Sequence, residues 1–298
     1  MNVKNNGIQK LTIAEKRRLI NKRRSYAHPV IGITGGFGKS TLVEMLCAVL
    51  ESRGKVLKTP RGKGLWENNL SILNRLDNSY QYAIFEFDYQ RGKNFAGLLR
   101  LIKPNFGIVT NIGDAHLNYL KDAMNMALQR SEVVKYLVQD GTAILNQDDE
   151  LGSALSNYIS TPNIYKFGLN QSADFCASDI EHLGPGGLRF KLNCKQTITL
   201  PLYSVPNIYS FLACAVTCTQ LGFSMQEIVE NIKSNFSLPK GRGNLFKIND
   251  IYLFDESYGG TSRSVSKAAR SLVGFKPYVN KTIFIVGEIG RASCRERV

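Results

Sequence analysis

Residues 34–41 place three glycines, a lysine and three hydroxyl side chains in one short run: Thr34, Gly35, Gly36, Phe37, Gly38, Lys39, Ser40 and Thr41. Those residue types suit one chemistry. Glycines let backbone N–H groups close around an oxyanion, and a following helix adds positive potential at its N-terminus. Lys39 can reach the terminal phosphates of a nucleotide, and Ser40 or Thr41 can ligate magnesium. The strict Walker pattern has glycine at position 33, where this chain has Ile33. The flanks restore the reading. Residues 29–33 are an apolar, strand-like run, and residues 42–50 are apolar at helical spacing. Strand, phosphate loop and helix follow one another.

The elements that must position this loop are legible along the chain. Residues 82–87, 106–112 and 142–145 read as buried strands, and residues 95–102 and 124–139 as helices. Strands alternating with helices imply a parallel sheet with right-handed crossovers, whose ligands bind at the strand carboxyl ends. Polar residues gather at those ends: Glu86, then Asn111 and His116, then Asn146, Asp148 and Asp149. A carboxylate beside a phosphate loop suits magnesium, directly or through water. Residues 163–203 alternate in short runs and read as antiparallel strands added to the parallel core. Residues 207–221 and 225–236 return to helix. The loop 238–243 is a domain boundary, and residues 251–254 open a second α/β unit ending in Asp255 and Glu256. The fold class is therefore α/β: a phosphate-loop parallel sheet flanked by helices with a small antiparallel addition, then a truncated Rossmann-like domain. The expected domains are a basic helix and linker over 1–28, an ATP-binding domain over 29–238, and the start of a C-terminal domain over 239–288.

The chain has 298 residues, 43% of them hydrophobic, enough for a sizeable core and more than one domain. It shows no apolar run long enough to span a bilayer and opens on no signal peptide. Its six cysteines show no Cys-x-x-Cys spacing, and buried reduced thiols fit a cytoplasmic location. The net charge of +14 is spread along the chain, apart from Lys16-Arg17-Arg18 and Lys22-Arg23-Arg24 on a helix spanning Ile13–Ser25. A solvated helix face or an anionic or membrane-surface partner would account for that cluster. No aromatic-plus-basic cluster supports nucleic acid.

The chain resembles the Mur ligase family, the ATP-dependent amide-forming enzymes of cell-wall synthesis and their relatives. The matching segments are the phosphate loop from Gly32 to Thr41, Phe85-Glu86, the run from Lys103 to Leu117 containing Asn-Ile-Gly-Asp-Ala-His116, and Ala143 to Asp149. Pro206-Asn-Ile-Tyr209, Gly241-Arg242 and Asp255-Glu-Ser-Tyr258 follow in family order. The Asn-Ile-Gly-x-Ala-His and Asp-x-Ser-Tyr forms lean toward the branch that adds D-alanyl-D-alanine to UDP-muramoyl-tripeptide. The resemblance implies ATP and Mg2+ as cofactors, and a carboxylate and an amine as substrates. It assigns Lys39, Glu86, His116 and Arg242 to catalysis and Ser40, Thr41, Glu86 and His116 to the metal. Asn207 would lie beside the adenine, Arg242 would reach the γ-phosphate, and Glu256 would stand near the ribose. Together with Thr34, Gly35, Gly36, Gly38, Lys39, Ser40 and Thr41 these form the nucleotide-binding set.

Departures from the family pattern leave alternatives open. Arg130 falls where the family has a lysine that becomes carbamylated to bind a second magnesium, and a fixed cation cannot replace that anion. Arg130 contacts a substrate oxyanion, Glu132 takes the metal role, or activity is altered. Gly36 stands where Thr or Ser is usual, Ser210 replaces a second adenine-side asparagine, and Gly259-Gly260 departs from the family form. Only 28 residues precede the first core strand, too few for the family's UDP-binding domain. Polyglutamate-type or lipid-linked substrates, a catalytically impaired ATP-binding subunit, and a start codon lost upstream are the corresponding alternatives. Residues 289–298 match the translation of a widely used sequencing adapter and are expected to be an artefact. A chain ending there is expected not to turn over on its own.

Overall fold

The structure is a computed structural model that describes residues 11–88, 96–112, 120–258 and 262–287. His116, Gly259-Gly260 and the tail 289–298 lie outside the described residues.

Helix α1 (Ile13–Ser25) begins where expected, because Thr12 and Glu15 form a reciprocal capping box. Leu19 is its buried residue, and the adjoining Tyr26 is buried as well. Arg23 is structural: its guanidinium donates to the carbonyls of Ile102 and Lys103 and to Asn105 Oδ1. Lys16, Arg17 and Arg24 stay exposed.

Strand β1 (Val30–Thr34) is buried on both faces, as a central parallel strand must be. The phosphate loop then turns into α2 (Lys39–Leu50). Next come β2 (Val56–Lys58), α3 (Trp66–Arg75), β3 (Tyr82–Phe87), α4 (Ala96–Ile102) and β4 (Phe106–Val109). Helix α5 (Leu120–Lys135), β5 (Thr142–Asn146), α6 (Glu150–Ala154), β6 (Asn163–Gly168), β7 (Phe175–His182), β8 (Leu188–Leu192) and β9 (Gln196–Leu200) complete the sheet region. Helices α7 (Pro206–Gln220) and α8 (Met225–Asn235) follow, then β10 (Asn244–Ile248), β11 (Ile251–Asp255) and α9 (Ser262–Val273).

The nine-stranded sheet has the order β2-β3-β1-β4-β5-β6-β7-β8-β9. Chain direction is parallel from β2 to β7, and only β7-β8-β9 run antiparallel. Because β1 pairs with β3 on one side and β4 on the other, the strand order reverses at β1 and opens a crevice at its carboxyl end. Helices α2, α7 and α8 bury one face, with Leu46, Phe190 and Phe211 in the core. Helices α1, α3 and α4 cover the other over Leu19, Ile72, Phe85 and Leu98.

Three expectations are corrected. The antiparallel region starts later than residue 163, because β6 pairs in parallel with β5 along its whole length. Helix α5 runs four residues earlier than the periodicity suggests. The strand over 251–254 does not open a parallel unit directly. It pairs antiparallel with β10 as a hairpin, and β10 carries no buried apolar alternation that would announce it.

Candidate active site

The phosphate loop is held from β4. Thr110 Oγ1 and Asn111 Nδ2 both donate to the carbonyl of Phe37, at 2.7 and 3.0 Å. The Gly36 N–H donates in turn to Asn111 Oδ1 at 3.0 Å. Asn146 Nδ2 steadies this clamp by donating to the carbonyl of Thr110. Gly35 has φ +146°, and a Cβ there would sit 2.0 Å from Thr110 Oγ1, so only glycine fits. Gly38 is left-handed at φ 83° and launches α2. Gly36 lines the cavity, but its N–H is engaged by Asn111. The donors facing an anion are therefore the first-turn N–H groups of α2, which have no carbonyl one turn earlier.

Above the loop lies a cavity of about 110 Å³ lined by Lys39, Ser40, Glu86, Asp88, Arg242 and Tyr258, with loop glycines and Gly62. Lys39 Nζ donates to Gly35 O at 2.7 Å and pairs with Asp88 Oδ1 at 3.1 Å. Ser40 Oγ stands 3.4 Å from Glu86 Oε1. Glu86 is 3% exposed, and burial holds its carboxyl above the usual carboxylate range, opposed by the nearby Lys39 charge. Its backbone is fixed at both ends: Glu86 N donates to Thr59 Oγ1, and Asn69 Nδ2 donates to Glu86 O.

Arg242 reaches this cavity from beyond α8, its guanidinium 4.0 Å over the Tyr258 ring. Glu256 and Asn207 both lie close to the neighbouring Gly243. A Cβ on Gly243 would lie 3.1 Å from Glu256 Oε1 and 3.7 Å from Asn207 Nδ2, so this glycine keeps the space between them open. Arg242 Nε, Asn207 Nδ2 and Glu256 Oε1 are all buried without a hydrogen-bond partner. Burial raises the Glu256 carboxyl, and Lys267 Nζ, 3.5 Å from Glu256 Oε1, opposes that shift. Ser210 Oγ donates to Gly38 O at 3.3 Å, tying α7 to the loop.

Other expected residues serve the scaffold. Thr34 Oγ1 donates to the carbonyl of Phe87 and braces β1 against β3. Thr41 is buried and is not among the residues lining the cavity. Asp148 accepts from Leu169 N, Asn170 N and Tyr209 Oη, while Asp149 caps α6 and accepts from Ile112 N. Asp255 accepts from Ser257 N in its own turn. Arg130 is a buried cation on α5. Three contributors had no site role from sequence: Asp88, Thr110 and Tyr258. Asp88 sits two residues after Glu86, a spacing that puts both on one face at a strand end.

A glycine-rich loop between a central parallel strand and a helix, with a buried carboxylate on the neighbouring strand, defines a phosphate-loop nucleotide-binding α/β protein. More narrowly, the chain belongs to the Mur ligase family, since residues 33–218 match the Mur ligase middle domain. It is 29% identical over 240 residues to the UDP-N-acetylmuramoyl-tripeptide--D-alanyl-D-alanine ligase of Synechocystis sp., covering 79% of this chain and 50% of that protein. Crystal structure II of MurF from Acinetobacter baumannii superposes with a TM-score of 0.77 at 25% identity, over 87% of this chain and 57% of that one. MurF ligase from Thermotoga maritima in complex with ADP shares the fold, with a TM-score of 0.73 at 21% identity over 88% and 62% of the two chains. The chain spans about half the length of the curated relatives it matches.

Proposed function

We propose that the chain forms the ATP site of an ATP-dependent acid–amino-acid ligase that makes an amide through an acyl phosphate, in peptidoglycan precursor synthesis. The observation that carries this reading is the single cavity where Lys39, Ser40, Glu86 and Arg242 meet above the phosphate loop. Its relatives' names supply the reaction: a muramoyl-tripeptide carboxylate and D-alanyl-D-alanine.

Lys39 and Arg242 would neutralise the β/γ-phosphates while the first turn of α2 donates to their oxygens. The substrate carboxylate attacks the γ-phosphorus and ADP leaves. The amine then attacks the acyl carbon, and phosphate is expelled with loss of an amine proton. Positioning and charge neutralisation suffice, and no protein nucleophile is required. Two buried polar atoms without hydrogen-bond partners, on Asn207 and Arg242, fit a nucleotide whose base and phosphates supply their missing bonds. Mg2+ fits Ser40 and Glu86, whose oxygens lie 3.4 Å apart. Among the described residues no three acidic, histidine or cysteine side chains form a cage, which suits an ion held largely by phosphate and water. When bound, the metal would supply charge neutralisation of the transferred phosphoryl group.

Arg242 and Glu256 follow the expected boundary at 238, so closure of the segment from 239 onward over ATP belongs to this reading. So do a cytoplasmic location, on the five cysteines free among the described residues, and an anionic contact through Lys16, Arg17 and Arg24. No described helix is long and apolar enough to cross a membrane.

The test uses the protein that carries this chain, with Mg-ATP, UDP-muramoyl-tripeptide and D-alanyl-D-alanine. Phosphate release that requires the tripeptide, with hydroxylamine trapping an acyl intermediate, is expected. A phosphorylated product without amide would overturn the assignment. Buried Arg130 favours a second reading, an ATP-binding subunit without turnover. Tight Mg-ATP binding with no phosphate release from any tested acid would select it.

A further inference from the structure

The acidic residue nearest the phosphate loop lysine has no role in the reading above, and its contacts give it one. Lys39 has three N–H donors, of which Gly35 O and Asp88 Oδ1 hold two. Asp88 Oδ2 accepts from Gly64 N at 3.1 Å, which fixes the carboxylate to the turn after β2. The Lys39 side chain is 11% exposed and that of Asp88 29%, so the pair is partly shielded from salt. Asp88 also lines the same cavity as Glu86.

An incoming polyphosphate must therefore take Lys39 from Asp88. Without a cation it would leave two carboxylates, Glu86 and Asp88, facing phosphate oxygens across a small cavity. A divalent cation accompanying the phosphates gives those carboxylates a positive partner at the same moment. We propose that Asp88 is a resident counter-ion of Lys39 that makes this cavity select the magnesium complex of a polyphosphate over the free anion. This rests on the nucleotide reading of the site and adds a selectivity to it. Asp88 is thus a positioning residue acting through Lys39.

The experiment measures affinity for ATP and for inorganic tripolyphosphate by calorimetry, in EDTA and in Mg2+. Wild type is compared with Asp88→Asn, Asp88→Ala, Lys39→Ala and the Lys39→Ala/Asp88→Asn double variant. Removing the competing charge is expected to tighten magnesium-free binding about tenfold, the scale of one partly shielded charge interaction. With Mg2+ the same variants are expected to change little or to weaken. The gain in EDTA is expected to vanish when Lys39 is absent, an outcome that a merely structural role for Asp88 would not produce. The alanine variant covers the case in which the asparagine amide reorients. Equal or weaker magnesium-free binding in both Asp88 variants would overturn the counter-ion role, as would a gain that survives Lys39→Ala. Those results leave Mg-ATP binding by the wild type intact. A wild type that binds no polyphosphate under either condition would overturn the nucleotide reading and the counter-ion with it.

Discussion

The phosphate loop and the region around Gly243 differ in how far the chain satisfies its own polar groups. At the phosphate end, Gly36, Phe37, Lys39 and Thr110 are all engaged by named protein partners. Around Gly243, Asn207 Nδ2 and Arg242 Nε are buried with none, and Glu256 Oε1 has only the Lys267 ammonium at 3.5 Å. A buried polar atom without a partner costs stability, typically about 1–3 kcal/mol. Two of them beside Gly243 fit the proposed nucleotide, which would supply the missing bonds. The phosphate end is a preformed cradle, and the other end is an unfinished hydrogen-bond network. Preorganised and unsatisfied groups are thus divided between a loop set by β1 and β4 and the meeting of α7 with a segment arriving from beyond α8.

That contrast can be broken most forcefully at Lys39. Lys39→Ala is expected to weaken Mg-ATP binding by roughly a hundredfold or more, as loss of a charge-assisted phosphate contact does. Calorimetric titration checks it, and near-wild-type affinity would remove the cradle from the argument. Asn111→Ala comes next. It removes one of two donors to Phe37 O and the side-chain acceptor of Gly36 N, leaving that N–H only the Asn111 carbonyl at 3.3 Å, so the cradle loosens. A loss of about tenfold in Mg-ATP affinity with a lower melting temperature is expected, the size of one or two buried hydrogen bonds. Asn111→Asp, which keeps the acceptor and loses the donor, is expected to rescue only in part.

At the unfinished end the sign reverses. Asn207→Leu removes a buried, unpartnered amide and fills its volume, so the ligand-free protein is expected to gain about 1 kcal/mol in urea unfolding. The same variant is expected to bind ATP less tightly. The smallest effect concerns Glu86. Its carboxyl is raised by burial above the ordinary value of 4.5, so the folded state holds a proton that the unfolded state has already released. Stability from this group is therefore full below that value and falls as the pH rises through the folded-state pKa. Glu86→Gln is expected to melt higher than wild type at neutral pH, with the difference closing on acidification toward pH 4.5.

Much of this division was legible before any coordinates. Local signals carried the cradle: glycines at 35, 36 and 38, the apolar strand before them and the helix after. The capping box at Thr12 fixed the start of α1 for the same reason, since both of its partners lie within one turn. Glu86 could be read as a strand-end carboxylate. Asp88 could not be matched to Lys39, because their meeting depends on the parallel register that sets Thr34 against Phe87. The clamp from Thr110 depends likewise on β1 pairing with β4. Asp148 and Asp149 sit at a strand end as expected, but their oxygens accept from Leu169 N and Ile112 N, which are distant in sequence and reach them only through the sheet. The hairpin partner β10 was missed because its side chains are half-buried or exposed and leave no alternation to read.

The most direct test of a site with one finished and one unfinished end is the ratio of Mg-ATP to Mg-tripolyphosphate affinity, measured calorimetrically in wild type and in Asn207→Ala. Tripolyphosphate binding is expected to stay within about twofold while ATP loses roughly tenfold, because the substitution removes only a hydrogen bond beyond the phosphates. An equal loss for both ligands, or none for ATP, would contradict it.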